Sequence, residues 1–176
     1  MYANNLNKHS KIGAKQTRNF EQLKSLITQL SVEDNFEDAL DEWRETDRYF
    51  ISNDGEYCIC GKKNIHELCI IRNIVTGVTL TVGNCCINHF CETDSRLFFN
   101  ALRKIDKDIT RSANQSLILF AFVNMVFSRE EYVFYSEIWR KRNGSLSTDQ
   151  AEWKIQLNQK LLEAFKVEKL PKGRSY

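Results

Sequence analysis

The sequence predicts an α+β fold in which a small antiparallel β-hairpin or sheet, at about residues 56–83, is embedded in a mainly α-helical domain. Three observations support this prediction. Short β-rich runs separated by turn residues occupy only the middle of the chain. Apolar residues recur at helical spacing on both sides of that region. All six cysteines lie within the same middle region, between residues 58 and 91.

The chain has 176 residues, of which only one is proline and seven are glycine. Such a composition leaves little room for an internal linker. We therefore expect a single domain over residues 17–170, with a metal-binding unit at about residues 56–90. Residues 1–16 are predicted to form a basic flexible leader, and residues 171–176 a flexible tail.

Two amphipathic helices are predicted before the β-rich region. Apolar residues at helical spacing predict the first over about residues 17–30. Ser31 is the predicted N-cap of the second, because acidic residues follow it where the first helical turn would lie. The apolar face of this second helix carries Phe36, Leu40 and Trp43.

The β-rich region is predicted to contain strands near residues 56–59, 65–72 and 78–83. Thr76 and Gly77 connect the last two strands, and Gly77 supplies the positive φ that a tight hairpin loop commonly requires. If Arg72 pairs with Thr79, position 66 lies opposite position 85. The hairpin then brings together residues that are far apart in sequence.

After Gly83 the pattern is helical. Ser128 with Glu131, and Ser147 with Gln150, have the spacing of capping boxes. Helices are predicted over about residues 84–91, 94–108, 112–127, 129–142 and 148–167.

No secretory signal or membrane-spanning segment is recognised. The first twenty residues lack a continuous apolar stretch, and the apolar run over residues 117–127 is shorter than the ~20 residues that span a bilayer. The sequence therefore predicts a cytoplasmic protein that has no membrane partner. In a reducing compartment, clustered cysteines more often bind metal than form disulfides.

Cys58 and Cys60 lie two residues apart at the predicted end of a strand, and Gly61 allows the backbone to turn there. The hairpin register brings His66 close to Cys86, where the start of a helix would favour a thiolate. Four cysteine and histidine ligands close a tetrahedral zinc site and leave no position for water. The sequence therefore predicts one structural Zn²⁺ bound by Cys58, Cys60, His66 and Cys86.

Other ligand sets stay open at this point. Cys85 or Cys69 could replace a proposed ligand, because a register slip of one residue changes which side chains face the metal. Cys69 and Cys91 are otherwise interpreted as small buried hydrophobic residues. His89 is interpreted as a surface or helix-end histidine rather than a ligand.

The residues of this region also resemble a known pattern. Small, largely uncharacterised proteins of phages and mobile elements carry a similar arrangement, CxCG, IxN, TG and VGxxCI. The resemblance implies a zinc-binding unit, favours Cys86 over Cys85, and implies no known activity. It is carried by Cys58-Ile-Cys60-Gly61, Ile65-His66, Ile71-Arg-Asn73, Thr76-Gly77, Val82-Gly83-Asn84-Cys85-Cys86-Ile87 and Phe90.

Motifs of several zinc enzymes are absent from the sequence. Position 70, where the second histidine of HExxH would stand after His66, is isoleucine. The deaminase signature requires a proline beside its cysteine pair, and the single proline is Pro171. We therefore predict a non-enzymatic protein with no small-molecule substrate.

The net charge of +2 does not by itself indicate a polyanionic partner. Clustered basic residues nevertheless favour nucleic acid, and the prediction is an accessory nucleic-acid-binding protein of a phage or mobile element. The alternative is a protein-binding module that engages or inhibits a host complex through the acidic helix containing Asp38, Asp41 and Glu42. The residues predicted to contact nucleic acid are Lys8, Lys11, Lys15, Arg18, Arg140, Lys141 and Arg142.

Overall fold

The computed structural model describes residues 18–91 and 95–167, and it has the predicted α+β class. Within these ranges, α-helices and short 3-10 helices surround one four-stranded sheet. The α-helices are α1 (Arg18–Gln29), α2 (Phe36–Leu40), α3 (Ser95–Lys107), α4 (Gln115–Val123), α5 (Arg129–Ile138) and α6 (Thr148–Phe165). The strands are β1 (Trp43–Glu56), β2 (Ile65–Asn73), β3 (Thr79–Gly83) and β4 (Lys166–Val167), and the 3-10 helices are Cys86–His89 and Asn143–Ser145. The proposed leader and tail, residues 1–16 and 171–176, lie outside the described residues.

The sheet has the strand order β3-β2-β1-β4. Strands β2 and β3 form the predicted antiparallel hairpin, with Arg72 opposite Thr79. Gly77 has a φ of +77°, as the hairpin connection requires. The short β4 runs parallel to β1 and pairs Lys166 with Ile51. The sequence pattern did not indicate β4, since two residues are too few to show a period.

The prediction for residues 31–59 is wrong in two respects. Helix α2 begins after Asn35, whose side chain accepts a hydrogen bond from the Asp38 amide, and not after Ser31. Trp43 begins β1 rather than continuing the helix, and this strand ends at Glu56, where a strand was predicted to begin. Residues 43–45 and 49–51 pair with β2, with an irregularity between Glu45 and Tyr49, and this pairing outweighs the helical spacing of the preceding apolar residues.

One face of the sheet forms the core with the C-terminal helices. Tyr49 of β1 pairs with Cys69 of β2, and both side chains are buried. The Tyr49 ring lies 5.3 Å from the ring of Phe98 in α3 and 5.1 Å from that of Phe120 in α4, measured between centroids. This aromatic cluster attaches the helices to a single face of the sheet.

The C-terminal helices agree with the sequence prediction. Both capping boxes are present, at Ser128 with Glu131 and at Ser147 with Gln150. Asn158 of α6 is fully buried and donates hydrogen bonds to the carbonyls of Ile109 (2.6 Å) and residue 111 (2.7 Å). These bonds attach α6 to the loop that precedes α4.

Asn73, at the end of β2, is the centre of a buried hydrogen-bond network. Its Oδ1 accepts the amides of Val75 and Thr76, each at 2.8 Å, and its Nδ2 donates to Glu42 Oε2 at 2.7 Å. Asn73→Ala leaves these groups unsatisfied inside the protein. We expect the variant to lose about 2–4 kcal/mol of unfolding free energy. Urea denaturation measures this loss, and Asn100→Ala, at an exposed position of α3, should change stability by less than about 0.5 kcal/mol.

Candidate metal centre and the adjoining sheet face

The turn after β1 carries the first two cysteines of the candidate site. The Cys58 amide donates to the Lys62 carbonyl and the Gly61 amide to the Cys58 carbonyl, both at 2.9 Å. Gly61 has a φ of +83°, and a Cβ there would lie 2.4 Å from Gln22 Oε1 of α1. The positive φ favours glycine at this turn, whereas the exposed Gln22 side chain could move aside. We call residues 58–62 the knuckle.

The third cysteine comes from the end of the hairpin. After β3 the chain enters the 3-10 helix at Cys86, and its Sγ lies 3.6 Å from Cys58 Sγ. Sulfur atoms of Cys58, Cys60 and Cys86 all lie within 4.8 Å of one another. Tetrahedral zinc with Zn–S bonds of about 2.3 Å requires sulfurs about 3.8 Å apart, whereas a disulfide requires about 2.05 Å. These three cysteines could hold a metal ion.

The surroundings of Cys58 favour its thiolate form. Its Sγ shares a hydrogen bond with Cys86 Sγ, 3.6 Å away, and accepts hydrogen bonds from the Cys60 amide and from the Gly83 amide at 3.3 Å. Together they lower the pKa of Cys58 to about 5, although burial acts in the opposite direction. The same contact raises the pKa of Cys86, because its proton is held between two sulfurs. A cation between the sulfurs would take the place of that proton.

Helix α1 covers the knuckle from one side. Asn19 Nδ2 lies 2.7 Å from the Cys60 carbonyl oxygen and 3.9 Å from Cys60 Sγ. Burial raises the pKa of the Cys60 thiol, against a hydrogen bond from the Lys62 amide that lowers it. The donors around Cys60 are positioned to stabilise a thiolate once a metal displaces its proton.

The structure does not bring His66 into this cluster. Its Nδ1 lies 2.9 Å from the Ser52 carbonyl oxygen, on the side of β2 where it pairs with β1. The β2–β3 pairing ends at Leu68 and Gly83, so the expected approach of position 66 to position 85 does not occur. The hairpin register was predicted correctly, but the pairing of β2 with β3 ends two residues before the predicted pair of positions 66 and 85.

The alternative ligands also lie outside the cluster. Cys85 is exposed and contacts its neighbour Asn84, while Cys69 is buried on the core face of the sheet. The Cys91 thiol donates to the Ile87 carbonyl at 3.4 Å. Among the described residues, the three-cysteine group is the one cluster of possible metal ligands.

The residues predicted to bind nucleic acid are dispersed. Arg18 is the exposed first residue of α1, whereas the exposed Arg140, Lys141 and Arg142 follow α5. The Arg140 guanidinium lies 4.6 Å from the centroid of the Trp139 ring. Lys8, Lys11 and Lys15 lie outside the described residues.

The acidic surface considered as an alternative is smaller than predicted. Glu42 is buried and accepts hydrogen bonds from the amides of Val32 and Glu33, each at 2.8 Å. Burial alone would raise the pKa of Glu42, but hydrogen bonds from Asn73 and from these two amides lower it. Glu42 therefore stabilises the fold and offers little to a partner.

A basic surface lies on the face of the sheet opposite the aromatic core. Arg44 of β1 stands directly opposite Arg72 of β2, which in turn is opposite Thr79 of β3. Directly paired residues project from the same face, and all three side chains are exposed. The Arg48 guanidinium lies 5.7 Å from the centroid of the half-buried Phe50 ring. We call this surface, comprising Arg44, Arg48, Phe50, Arg72 and Thr79, the arginine face.

The sequence analysis missed the arginine face because it predicted helix for the start of β1. The alternation of Arg44, Arg48 and Phe50 with buried Trp43 and Tyr49 was the available signal.

No protein-family model, no curated protein and no solved structure matches this chain. The resemblance to phage and mobile-element proteins therefore stays a prediction. Among the described helices, none has the length and apolar character needed to cross a lipid bilayer.

Proposed function

We propose that this protein is a non-enzymatic, zinc-stapled module that binds single-stranded nucleic acid on the arginine face. The observation that carries the proposal is the direct pairing of Arg44 with Arg72. Like charges opposite each other destabilise a sheet by about 0.2–1 kcal/mol. Within the described residues, neither arginine forms an ion pair that would offset this cost. A polyanion bound across the two strands would offset the repulsion between the two arginines.

The chemistry of the face favours single strands over duplexes. Sheets that bind single strands combine cationic side chains for the phosphates with aromatic rings for the bases. Arg48 and Phe50 supply such a pair beside Arg44 and Arg72. Among the described residues, none of those that strand pairing places on this face is acidic.

The knuckle contacts the outer strand of the sheet. The Ile59 amide donates to the carbonyl of Thr81 in β3 at 3.4 Å, and Thr81 pairs with Ile70 of β2. Tyr57 is 65% exposed, and Lys63 Nζ lies 5.7 Å from its ring centroid. A zinc ion bound by the three cysteines would hold this second aromatic and basic pair beside the sheet. Metal binding would thereby serve nucleic-acid binding without taking part in chemistry.

The test is fluorescence anisotropy with labelled single-stranded DNA and RNA of about 12–20 nucleotides, a length that matches single-strand binding sites. We expect single strands to bind more tightly than a duplex of the same sequence. Three phosphate contacts should give a slope of log K against log salt of about −2. Equal affinity for duplex and single strand, or no binding at 50 mM salt, would contradict the proposal.

A further inference from the structure

Three cysteines leave one tetrahedral position of a zinc site to be filled, and this inference concerns that position within the proposed zinc centre. A structural zinc site is closed by four protein ligands. His66 is held at the Ser52 carbonyl, and Cys85 lies exposed outside the cluster. His89 was interpreted from the sequence as a surface residue, yet the structure gives it a different setting.

Cys86 and His89 are the first and last residues of one 3-10 helix. Side chains three residues apart in such a helix are eclipsed, because it has three residues per turn. Positions 86 and 89 therefore share one side of the helix, one helical turn apart. This spacing is short enough for both side chains to reach a single ion.

Helix α1 contacts both the knuckle and His89. The His89 ring lies 5.0 Å from the ring of Phe20, measured between centroids. The preceding residue, Asn19, donates to the Cys60 carbonyl. Two consecutive residues at the start of α1 thus contact the knuckle and His89, so a single helical turn connects the two.

The His89 ring has an unused ligating capacity. It is half-buried, and it forms no hydrogen bond with any residue of ranges 18–91 and 95–167. Burial lowers the pKa of His89, which keeps the ring neutral and leaves one nitrogen with a free lone pair at neutral pH. Its ring nitrogens are not within 4.8 Å of all three sulfurs, so coordination requires the side chain to rotate.

We propose that His89 is the fourth zinc ligand, giving a Cys58, Cys60, Cys86 and His89 site. Rotation about the side-chain bonds of His89 would bring one ring nitrogen to the ion. The Phe20 ring, whose centroid lies 5.0 Å from that of the imidazole, would cover one side of the site. The site would then carry three thiolates and one neutral ligand.

The experiment compares zinc affinity and Co²⁺ absorption spectra of the full chain with those of His89→Ala, His89→Cys, His66→Ala and Cys85→Ser. We expect His89→Ala to weaken zinc binding at least about 100-fold. Loss of a residue that only supports a ligand weakens binding less. Its Co²⁺ spectrum should lose the intensity of a tetrahedral site. His89→Cys should restore tight binding, with the stronger sulfur-to-cobalt bands of four thiolates. His66→Ala and Cys85→Ser should match the unaltered protein.

Each other outcome overturns a defined part of the proposal. If His89→Ala binds zinc as tightly as the unaltered protein, or if His66→Ala or Cys85→Ser shows the loss, His89 is not the ligand. If the unaltered protein binds neither Zn²⁺ nor Co²⁺, the zinc centre itself is refuted. Long-range ¹H–¹⁵N spectra of the zinc-loaded, unaltered protein give an independent readout. A metal-bound ring nitrogen of His89 is expected there, and its absence refutes the assignment even if a variant fails to fold.

Discussion

Removal of the metal ion is expected to abolish amide protection in the knuckle and in the 3-10 helix Cys86–His89, while β2, α4, α5 and α6 retain theirs. Structural zinc in small finger peptides has an apparent binding free energy of about 10–16 kcal/mol, which exceeds the net stability of about 5–15 kcal/mol of a typical domain. The knuckle has few other attachments, namely backbone hydrogen bonds and α1. The C-terminal helices are stabilised by an aromatic core and by Asn158, which do not depend on the ion.

Hydrogen exchange followed by mass spectrometry, with and without a chelator, measures this difference directly. Cys58→Ser should reproduce the chelated state and lower bound zinc from one equivalent to less than about 0.2. Cys85→Ser is the matched control, since Cys85 is exposed outside the cluster and its loss should leave zinc content unchanged. Unchanged protection of the knuckle after complete zinc removal would show that apolar packing alone holds it.

Reversing the charge of two residues on the arginine face, Arg44→Glu with Arg72→Glu, is expected to weaken single-strand binding at least about 100-fold at low salt. Two phosphate contacts are lost, and two carboxylates repel the backbone. The slope of log K against log salt should fall by about 1.4, because each phosphate contact contributes about 0.7 on single strands. Both side chains are exposed, so the fold should tolerate the change.

Arg140→Glu with Arg142→Glu is the matched control, with the same charge change at the C-terminal end of α5. If the arginine face is the contact surface, this control keeps affinity within about threefold of the unaltered protein. If the control loses affinity and the sheet variant does not, the binding surface is the cluster predicted from sequence. Circular dichroism of both variants separates lost binding from lost fold.

Local patterns in the sequence were sufficient for much of the fold. Helix α1, the β2–β3 hairpin with Arg72 opposite Thr79, and both capping boxes follow from residues close together in the chain. Such features depend on periodicity and on capping groups three residues apart, which a sequence displays directly. Strand β1 was missed at its start because its identity depends on pairing with distant residues of β2, as Trp43 does with Asn73.

The candidate site was predictable to the same extent. The spacing of Cys58 and Cys60, and the helix start at Cys86, indicated three residues that the structure brings together. The proposed fourth ligand, His89, could not be deduced, because the sequence does not show where His66 and His89 lie in the folded chain. His66 lies within reach of a carbonyl on β1, and His89 lies beside α1. The local sequence indicates neither of these contacts.

The hydrogen bond between the Ile59 amide and the Thr81 carbonyl also affects how the molecule behaves in concentrated solution. Strand β3 is an outer strand of the sheet, and its residues 79–82 are uncharged and mostly β-branched. Outer strands of this kind recruit other chains unless something covers them. By holding Ile59 against Thr81, the ion would hinder the addition of a strand from another molecule to β3. The metal-free form should therefore self-associate, and its solubility would depend on the supply of zinc.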